Sequence, residues 1–107
     1  MRVVFFGSGD FAVPSLRWLI DHEQRGEHQI ALVVSQPDRP AGRGKQPMPT
    51  PVALMAEEHG RPLERVENVN TEPFLSKIRE LKPDIGLVIA FGQKLMAPLR
   101  GIFPSVW

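Results

Sequence analysis

Three short, unbroken apolar runs constrain the fold of this chain more than any other feature of its sequence. They occupy residues 3–6, 30–34 and 85–90. A helix that crosses a membrane needs about 18–20 apolar residues, so none of the three is a membrane span. Because a parallel sheet has both of its faces covered, continuous apolar runs of this length predict strands in such a sheet.

Helical patterns separate the runs. After the first run, Leu16, Leu19 and Ile20 form one apolar helix face, and Pro14 fits a position in the first turn. Similar stripes with start or stop signals predict the other elements. We expect a first helix from about Phe11 or Pro14 to about Glu23, a second at about residues 51–59, and a third at about 71–81 with Thr71 as its N-cap. We also expect a short strand at 62–66 and a short helix or turn at 94–99.

This alternation predicts an α/β fold, an open, mostly parallel, Rossmann-like sheet with helices on both faces. Right-handed crossovers favour the order 3-2-1-4 for the four strands. The chain has 107 residues, which allows one domain with a thin core and marginal stability. Residues 99–107 are largely apolar, so we interpret the chain as a fragment whose next strand is missing. The alternative is a final amphipathic turn that packs onto the sheet.

Composition excludes several kinds of site. The chain has no cysteine, which excludes disulfides and thiolate metal sites. Its histidines, His22, His28 and His59, lack the spacing of metal ligands. The net charge of +1 gives no strong overall attraction to nucleic acid or membrane, so any basic site must be local. The first apolar run is too short for a signal peptide, which favours a cytoplasmic protein without a membrane partner.

A glycine-rich turn follows the first run. Gly7, Gly9 and Ala12 match the pattern G-x-G-x-x-A of dinucleotide-binding folds, in which glycines let backbone N–H groups approach a phosphate. That pattern also expects an acidic residue at the end of the second strand. This chain has Ser35 there, with Asp38 beyond it. The turn is therefore either a weak cofactor signal or a tight strand-to-helix connection.

A long basic segment, residues 35–49, follows the second strand. Compact α/β units usually join a strand to its helix in about 2–6 residues, so this length needs a reason. The segment lacks apolar periodicity and predicts a loop. Its local charge of +2 and its bare backbone suit contacts with phosphates, and RNA is the expected partner. The alternative is a surface insertion without a ligand. The charged residues are Asp38, Arg39, Arg43 and Lys45, and the glycines are Gly42 and Gly44.

The end of the last apolar run is the third candidate site. Residues 89–95 follow a central strand to its carboxyl end, the edge at which open α/β sheets bind ligands. Backbone groups there suit the hydrogen-bonding edge of a flat heterocycle, although an ordinary strand end would occupy the same position. No Ser/His/Asp or Cys/His set can be assembled from the chain.

Several segments resemble one family. Residues 3–7 and 10–16 are similar to the opening of methionyl-tRNA formyltransferases, residues 36–45 and 49–52 to that family's most distinctive segment, and residues 90–93 to the end of its fourth strand. The resemblance covers essentially the whole chain. The basic segment is specific to the family, whereas the other segments also fit related formyltetrahydrofolate enzymes.

The resemblance implies an activity and a set of site residues. The family transfers a formyl group from 10-formyltetrahydrofolate to the amino group of methionine on initiator tRNA, in translation initiation. We therefore expect no metal, and a monomer at full length. The implied tRNA contacts are Arg39, Gly42, Arg43 and Lys45, and Arg43 is the strongest single candidate. Phe11 is implied to lie near the pocket for the methionyl side chain. The implied folate contacts, partly through the backbone, are Phe91, Gly92, Gln93, Lys94 and Leu95.

The resemblance also implies what this chain lacks. The family's catalytic Asn and His belong to a motif expected just after Trp107, and its catalytic Asp and C-terminal tRNA-binding barrel lie further on. Residues 1–107 are therefore expected to be the N-terminal part of the formyltransferase catalytic domain, an incomplete fold with little or no activity of its own. Ser8-Gly9, Phe91 and Lys94 depart from the family pattern.

Three alternatives stay open from the sequence. A sugar-nucleotide formyltransferase or a formyltetrahydrofolate hydrolase would share the sheet, but is not expected to carry the basic segment. An NAD(P)-dependent oxidoreductase would use Gly7, Gly9 and Ala12. A bare RNA-binding module would use the basic segment alone.

Overall fold

The computed structural model describes residues 1–23, 25–26, 28–41 and 46–107, and seven strands lie in these ranges. Five strands form one parallel sheet, and two form a separate antiparallel pair. In chain order the strands are β1 (Arg2–Gly7), β2 (Gln29–Ser35), β3 (Arg39–Ala41), β4 (Gln46–Met48), β5 (Leu63–Arg65), β6 (Ile85–Ile89) and β7 (Ser105–Val106).

Helices connect the strands of the sheet. A short 3-10 helix (Asp10–Ala12) leads from β1 into the first α-helix. The α-helices are α1 (Val13–Glu23), α2 (Pro51–Glu58), α3 (Glu72–Leu81) and α4 (Ala97–Arg100). These positions confirm the predicted ones. The prediction succeeded because each helix is marked locally by the spacing of its apolar residues and by a proline in its first turn. Within the described ranges, no helix has both the length and the apolar character needed to span a membrane.

The sheet has the order β5-β2-β1-β6-β7, and every neighbouring pair is parallel. The chain runs outwards from β1 to β2 and β5, and then crosses back to add β6 on the other side of β1. This confirms the predicted fold class and the order 3-2-1-4 of the four expected strands. β7 is an additional strand that the sequence did not predict, since two residues are too few to leave a pattern.

Successive residues of β1 point to opposite faces of the sheet. Val3 and Phe5 pack with α1 and α2 on one face, and Val4 and Phe6 pack with α3 and α4 on the other. All four side chains are at most 2% exposed, as the unbroken apolar run predicted. The Phe6 ring packs edge-on against Phe91 at a centroid distance of 5.5 Å, which links the core to the end of β6.

β6 is less buried than its sequence predicted. Its unbroken apolar run predicts burial on both faces, but Ile85, Leu87 and Ile89 are only half-buried. The reason is the placement of the helices. α1 and α2 contact β2, and they leave the same face of β6 partly uncovered.

α2 and α3 both begin after a threonine. The Thr50 hydroxyl accepts a hydrogen bond from the Ala53 amide at 3.0 Å and so caps α2. Thr71 occupies the predicted N-cap position of α3, but its side chain makes no capping hydrogen bond. The position of the helix start follows from the sequence, whereas the side-chain rotamer that makes a cap does not.

Candidate functional site

The carboxyl ends of β1, β2 and β6 meet at one edge of the sheet. β1 pairs with β2 on one side and with β6 on the other, and the direction of winding reverses between β1 and β6. In open α/β sheets, ligands bind outside the carboxyl ends of the strands at such a switch point. The loops that follow Gly7, Ser35 and Ile89 therefore form the candidate site.

The turn after β1 is tied to the end of β6. The amides of Ser8 and Gly9 both donate to the carbonyl oxygen of Ala90, at 3.1 and 3.3 Å. A Cβ atom on Gly7 would lie only 2.9 Å from the carbonyl oxygen of Ile89. Glycine is therefore required at position 7 by the close approach of β1 and β6.

This arrangement gives no support to a dinucleotide site. The two amides that a phosphate would meet, those of Ser8 and Gly9, already donate within the edge of the sheet. β2 ends at Ser35 and not at a carboxylate, and Asp38 is paired with Arg65 at 2.8 Å. The glycine pattern is thus accounted for by the packing of a strand-to-helix turn.

A hydrogen-bonded network joins the three loops. The Ser8 hydroxyl donates to the Phe91 carbonyl at 3.1 Å and accepts from the Gln36 amide at 3.0 Å. The Gln36 side chain also donates to the Phe91 carbonyl, at 3.3 Å. The Gln93 side chain donates to the side-chain oxygen of Gln36 at 3.1 Å. Each loop is therefore held by the other two.

Gln93 extends this network towards β5. Its side-chain nitrogen donates to the Val66 carbonyl at 2.8 Å, and its side-chain oxygen accepts from the Val69 amide at 2.9 Å. Buried polar groups need such partners, and the half-buried Gln93 has them on both ends of its amide. The side chain is thus engaged in shaping the edge.

The residues assigned to folate fall into two groups. Phe91 and Leu95 are buried, at 2% and 6% exposure, so their side chains belong to the core. Gly92 and Lys94 are exposed. Gly92 has a φ of 89°, a conformation that glycine adopts without strain. Gly92 and Lys94 are therefore the residues of this segment that a ligand can reach.

Phe11, assigned to the methionyl pocket, lies on the 3-10 helix directly after the turn of β1. Its side chain is 83% exposed. Packing an apolar ligand group against this ring would remove apolar surface of both from water.

The basic segment contains the antiparallel strand pair β3 and β4. We call residues 39–48 of the sequence the basic hairpin. Arg39 pairs with Met48 and Pro40 with Pro47, in antiparallel register. The expectation of an irregular loop was wrong for these residues. Proline donates no ladder hydrogen bond, and all of β4 is exposed, so neither feature by which strands are recognised is present.

Of the predicted tRNA contacts, Arg39 lies in the described part of the chain. It is exposed, and its Nη2 atom lies 3.4 Å from the side-chain oxygen of Gln36. Gly42, Arg43 and Lys45 fall outside the described residues.

The two ends of the segment that carries the basic hairpin are held together. The Ser35 and Thr50 hydroxyls form a short hydrogen bond. Arg65 Nε binds Asp38 at 2.8 Å, and Arg65 Nη2 binds Glu57. Hydrogen bonds to Asp38 and then to Glu57 raise the pKa of the Arg65 guanidinium above its ordinary value. The sequence analysis counted Asp38 only in the charge balance with the cations of its own segment. The observed partner of Asp38 is Arg65, which lies 27 residues away, belongs to no motif and was not predicted.

The three histidines lie away from this edge. His22 is near the end of α1, His28 precedes β2, and His59 follows α2, so all three lie towards the amino ends of the strands. In the part of the chain that the structure describes, no three His, Asp or Glu side chains come together as a metal site would require.

The fold and the candidate site define the class of protein: an open α/β domain with a candidate ligand site at the switch point and a basic hairpin in the chain that follows β2. The chain belongs to the formyl transferase family, whose model, described as Formyl transferase, matches residues 1–104.

Relatives named methionyl-tRNA formyltransferase match nearly all of the chain. The protein of Geotalea daltonii is 43% identical over 104 residues, which covers 97% of this chain and 32% of the relative. The protein of Citrifermentans bemidjiense is 49% identical over 102 residues, covering 95% and 31%. The chain thus spans about a third of the length of these relatives.

Solved structures of other formyltransferases share the fold. Phosphoribosylglycinamide formyltransferase from Bacillus halodurans has a TM-score of 0.65 at 15% identity, over 95% of this chain and 51% of that one. Glycinamide ribonucleotide transformylase 1 from Symbiobacterium toebii has a TM-score of 0.68 at 13% identity, over 97% and 48%. At these identities the likeness shows the fold alone.

Proposed function

We propose that this chain is the N-terminal part of the catalytic domain of a methionyl-tRNA formyltransferase. The reaction moves a formyl group from 10-formyltetrahydrofolate to the amino group of methionine on initiator tRNA. The proposal rests on the basic hairpin, whose strand β4 is exposed, in a chain whose relatives bear that name. A charged tRNA as substrate places the enzyme in the cytoplasm.

The carboxyl edge supplies contacts for both substrates. In this proposal the pterin of the folate meets the backbone of residues 92–94, and the methionyl side chain packs on Phe11. The cations of the basic hairpin bind phosphates of the tRNA acceptor end, for which guanidinium groups are well suited. The hydrogen bond from Gln93 to Gln36 supports this arrangement, because it connects the folate segment to the base of the basic hairpin.

In this proposal the groups for the chemical step come from the longer protein. Attack of an amine on a formyl carbon calls for a proton acceptor and for donors that stabilise the oxyanion. We place these roles on an Asn, a His and an Asp of the longer protein. A C-terminal barrel that helps to bind tRNA completes the proposed enzyme, which acts as a monomer.

The basic hairpin gives the direct test. The experiment uses the full-length protein, meaning a polypeptide of the relatives' length that carries this sequence as residues 1–107. Replacing Arg39, Arg43 and Lys45 by Ala together should weaken tRNA binding. It should also flatten the slope of log affinity against log salt by about 2, since each lost phosphate contact changes it by about 0.7.

The matched control is Arg79→Ala, which removes a cation from an exposed ion pair with Glu72 on α3. It should leave both quantities unchanged. Unchanged tRNA binding in the triple variant would remove the basis of the proposal.

Two further measurements separate the alternatives. Titration of the full-length protein with NADPH should show no binding, and saturable binding would favour an oxidoreductase. Formylation of methionyl-tRNA by the full-length protein should be readily detected. Binding of tRNA without formylation would leave only an RNA-binding module.

A further inference from the structure

We propose that Asp38, Arg65 and Glu57 form a clamp that fixes the basic hairpin in the position at which it meets tRNA. Asp38 and Arg65 are then positioning residues, because they act through the basic hairpin and do not touch the substrate. The inference rests on the proposed function and adds to it the device that orients the tRNA-binding element.

The first arm of the clamp lies where the basic hairpin leaves the sheet. Arg65 is the last residue of β5 and is the register partner of Ser35, the last residue of β2. Asp38 directly precedes β3. The 2.8 Å contact of Arg65 Nε with Asp38 Oδ1 therefore fixes the strand-proximal end of the basic hairpin to the edge of the sheet.

The second arm reaches the element that follows the basic hairpin. Glu57 lies in the last turn of α2, and its carboxylate binds Arg65 Nη2. A guanidinium group is planar and presents its donors in a rigid fork, so it holds two carboxylates at a defined angle. Arg65 thus connects the residue before β3 with the helix after β4.

The carboxylates of the clamp do not suit a direct contact with tRNA phosphates. Asp38 is a carboxylate next to Arg39, so by charge alone it opposes the approach of phosphates. The Arg65 and Asp38 side chains are 35% and 33% exposed, and ion pairs at such exposure contribute little to stability. Placement of the basic hairpin is the role that remains for the contact.

The charge of Arg65 persists over the working range of an enzyme. Hydrogen bonds to Asp38 and Glu57 raise the pKa of its guanidinium above the ordinary value. A guanidinium stays protonated at neutral and mildly alkaline pH, so Arg65 presents its donors to both carboxylates over that range.

The decisive variant is Asp38→Asn in the full-length protein. It removes a negative charge beside the basic hairpin, so simple electrostatics predicts tighter tRNA binding. Loss of the clamp predicts weaker tRNA binding instead. We expect tRNA binding to be about threefold weaker, because an exposed ion pair can shift the equilibrium between two positions of an element by about that factor.

Companion variants test the other members. Glu57→Gln also adds net positive charge and should also weaken tRNA binding. Arg65→Gln should weaken it too, and Arg65→Lys should restore part of the loss, because an ammonium keeps the charge without the planar fork. The matched control is Glu72→Gln, which neutralises a carboxylate of the exposed pair with Arg79 at 2.8 Å on α3 and should leave tRNA binding unchanged.

Two readouts separate positioning from a general loss of structure. In Asp38→Asn the KM for methionyl-tRNA should rise, while kcat and the KM for 10-formyltetrahydrofolate stay unchanged. Hydrogen–deuterium exchange of the peptide spanning residues 36–50 should become faster in Asp38→Asn and stay unchanged in Glu72→Gln. The exchange measurement needs no tRNA, so it judges the clamp independently of the proposed function.

Unchanged or tighter tRNA binding in Asp38→Asn would overturn the inference, and so would unchanged exchange. Should the triple variant of Arg39, Arg43 and Lys45 leave tRNA binding unaffected, the proposed function fails. Faster exchange in Asp38→Asn would then still support a clamp on the hairpin, without its role in tRNA binding.

Discussion

Gln93 gives the candidate site much of its shape, since one side chain bonds Gln36, Val66 and Val69. Gln93→Ala removes the side-chain partner of the Val66 carbonyl and of the Val69 amide, and it removes one of the donors to the Gln36 side-chain oxygen. A polar group left unpaired on burial costs about 1–3 kcal/mol, and the partial exposure here places the expected loss of unfolding free energy at about 2 kcal/mol. Urea unfolding of the chain, followed by tryptophan fluorescence, measures it. Gln46→Ala on exposed β4 is the control, and an equal effect of the two variants would contradict the assignment.

Gly7 and Gly9 form a matched pair of glycines in one turn. A Cβ atom on Gly7 would lie 2.9 Å from the Ile89 carbonyl, whereas one on Gly9 would meet nothing within 4 Å. Gly9 also has an ordinary φ of −77°. We expect Gly7→Ala to lower the free energy of unfolding by about 1–3 kcal/mol, and Gly9→Ala to change it by less than about 0.5 kcal/mol. Equal urea midpoints for the two variants would show that Gly7 is not sterically required.

Single residues were predicted well only where the signal is local. Gly7 follows a buried strand directly, and the turn there was expected from the sequence. The network of Gln36 with Gln93 joins residues that are 57 positions apart, and the contact of Asp38 with Arg65 joins residues 27 apart. Such contacts depend on which side chains of distant segments come within hydrogen-bonding distance of one another, which no local pattern encodes.

At the scale of elements, the caps of α2 and α3 differ although both helices follow a threonine. Thr50 accepts a hydrogen bond from Ala53 and also bonds the hydroxyl of fully buried Ser35. Thr50→Ala should cost about 1–2 kcal/mol of unfolding free energy, the usual value for a lost N-cap. Thr71→Ala should cost less than about 0.5 kcal/mol, because that side chain makes no capping bond. Thermal unfolding compares them, and a larger loss in Thr71→Ala would contradict the structure.

Helices and buried strands were predicted because each carries its own periodicity, as Leu16, Leu19 and Ile20 show for α1. The basic hairpin was located by its length and charge, but its strands were not recognised. Pro40 opposite Pro47 removes ladder donors, and an exposed strand needs no apolar alternation. Elements that face solvent on all sides leave little trace in a hydrophobic pattern.

At the scale of the whole molecule, the described helices leave one sheet face incompletely covered at β6. Pro14, Trp18, Leu19, Leu87 and Ile89 contribute to the lining of a groove of about 440 Å³ between α1 and β6. The fold class followed from the alternation of strands and helices. The open face did not, because an unbroken apolar run gives the same pattern whether or not a helix covers it.

The distribution of polar groups over the whole molecule leads to the last prediction. General acid–base catalysis contributes about 10²–10⁴-fold to such reactions and an oxyanion donor about 10²–10³-fold. In the described ranges, the histidines lie towards the opposite edge of the sheet from the candidate site. The side chains of Ser8, Gln36 and Gln93 at that site are bonded to one another or to backbone amides and carbonyls. We therefore expect the 107-residue chain to formylate methionyl-tRNA no faster than the uncatalysed reaction. The assay follows formylmethionyl-tRNA with 10-formyltetrahydrofolate as donor and the full-length protein as positive control, and product above background from the chain alone would show that this edge carries a catalytic group.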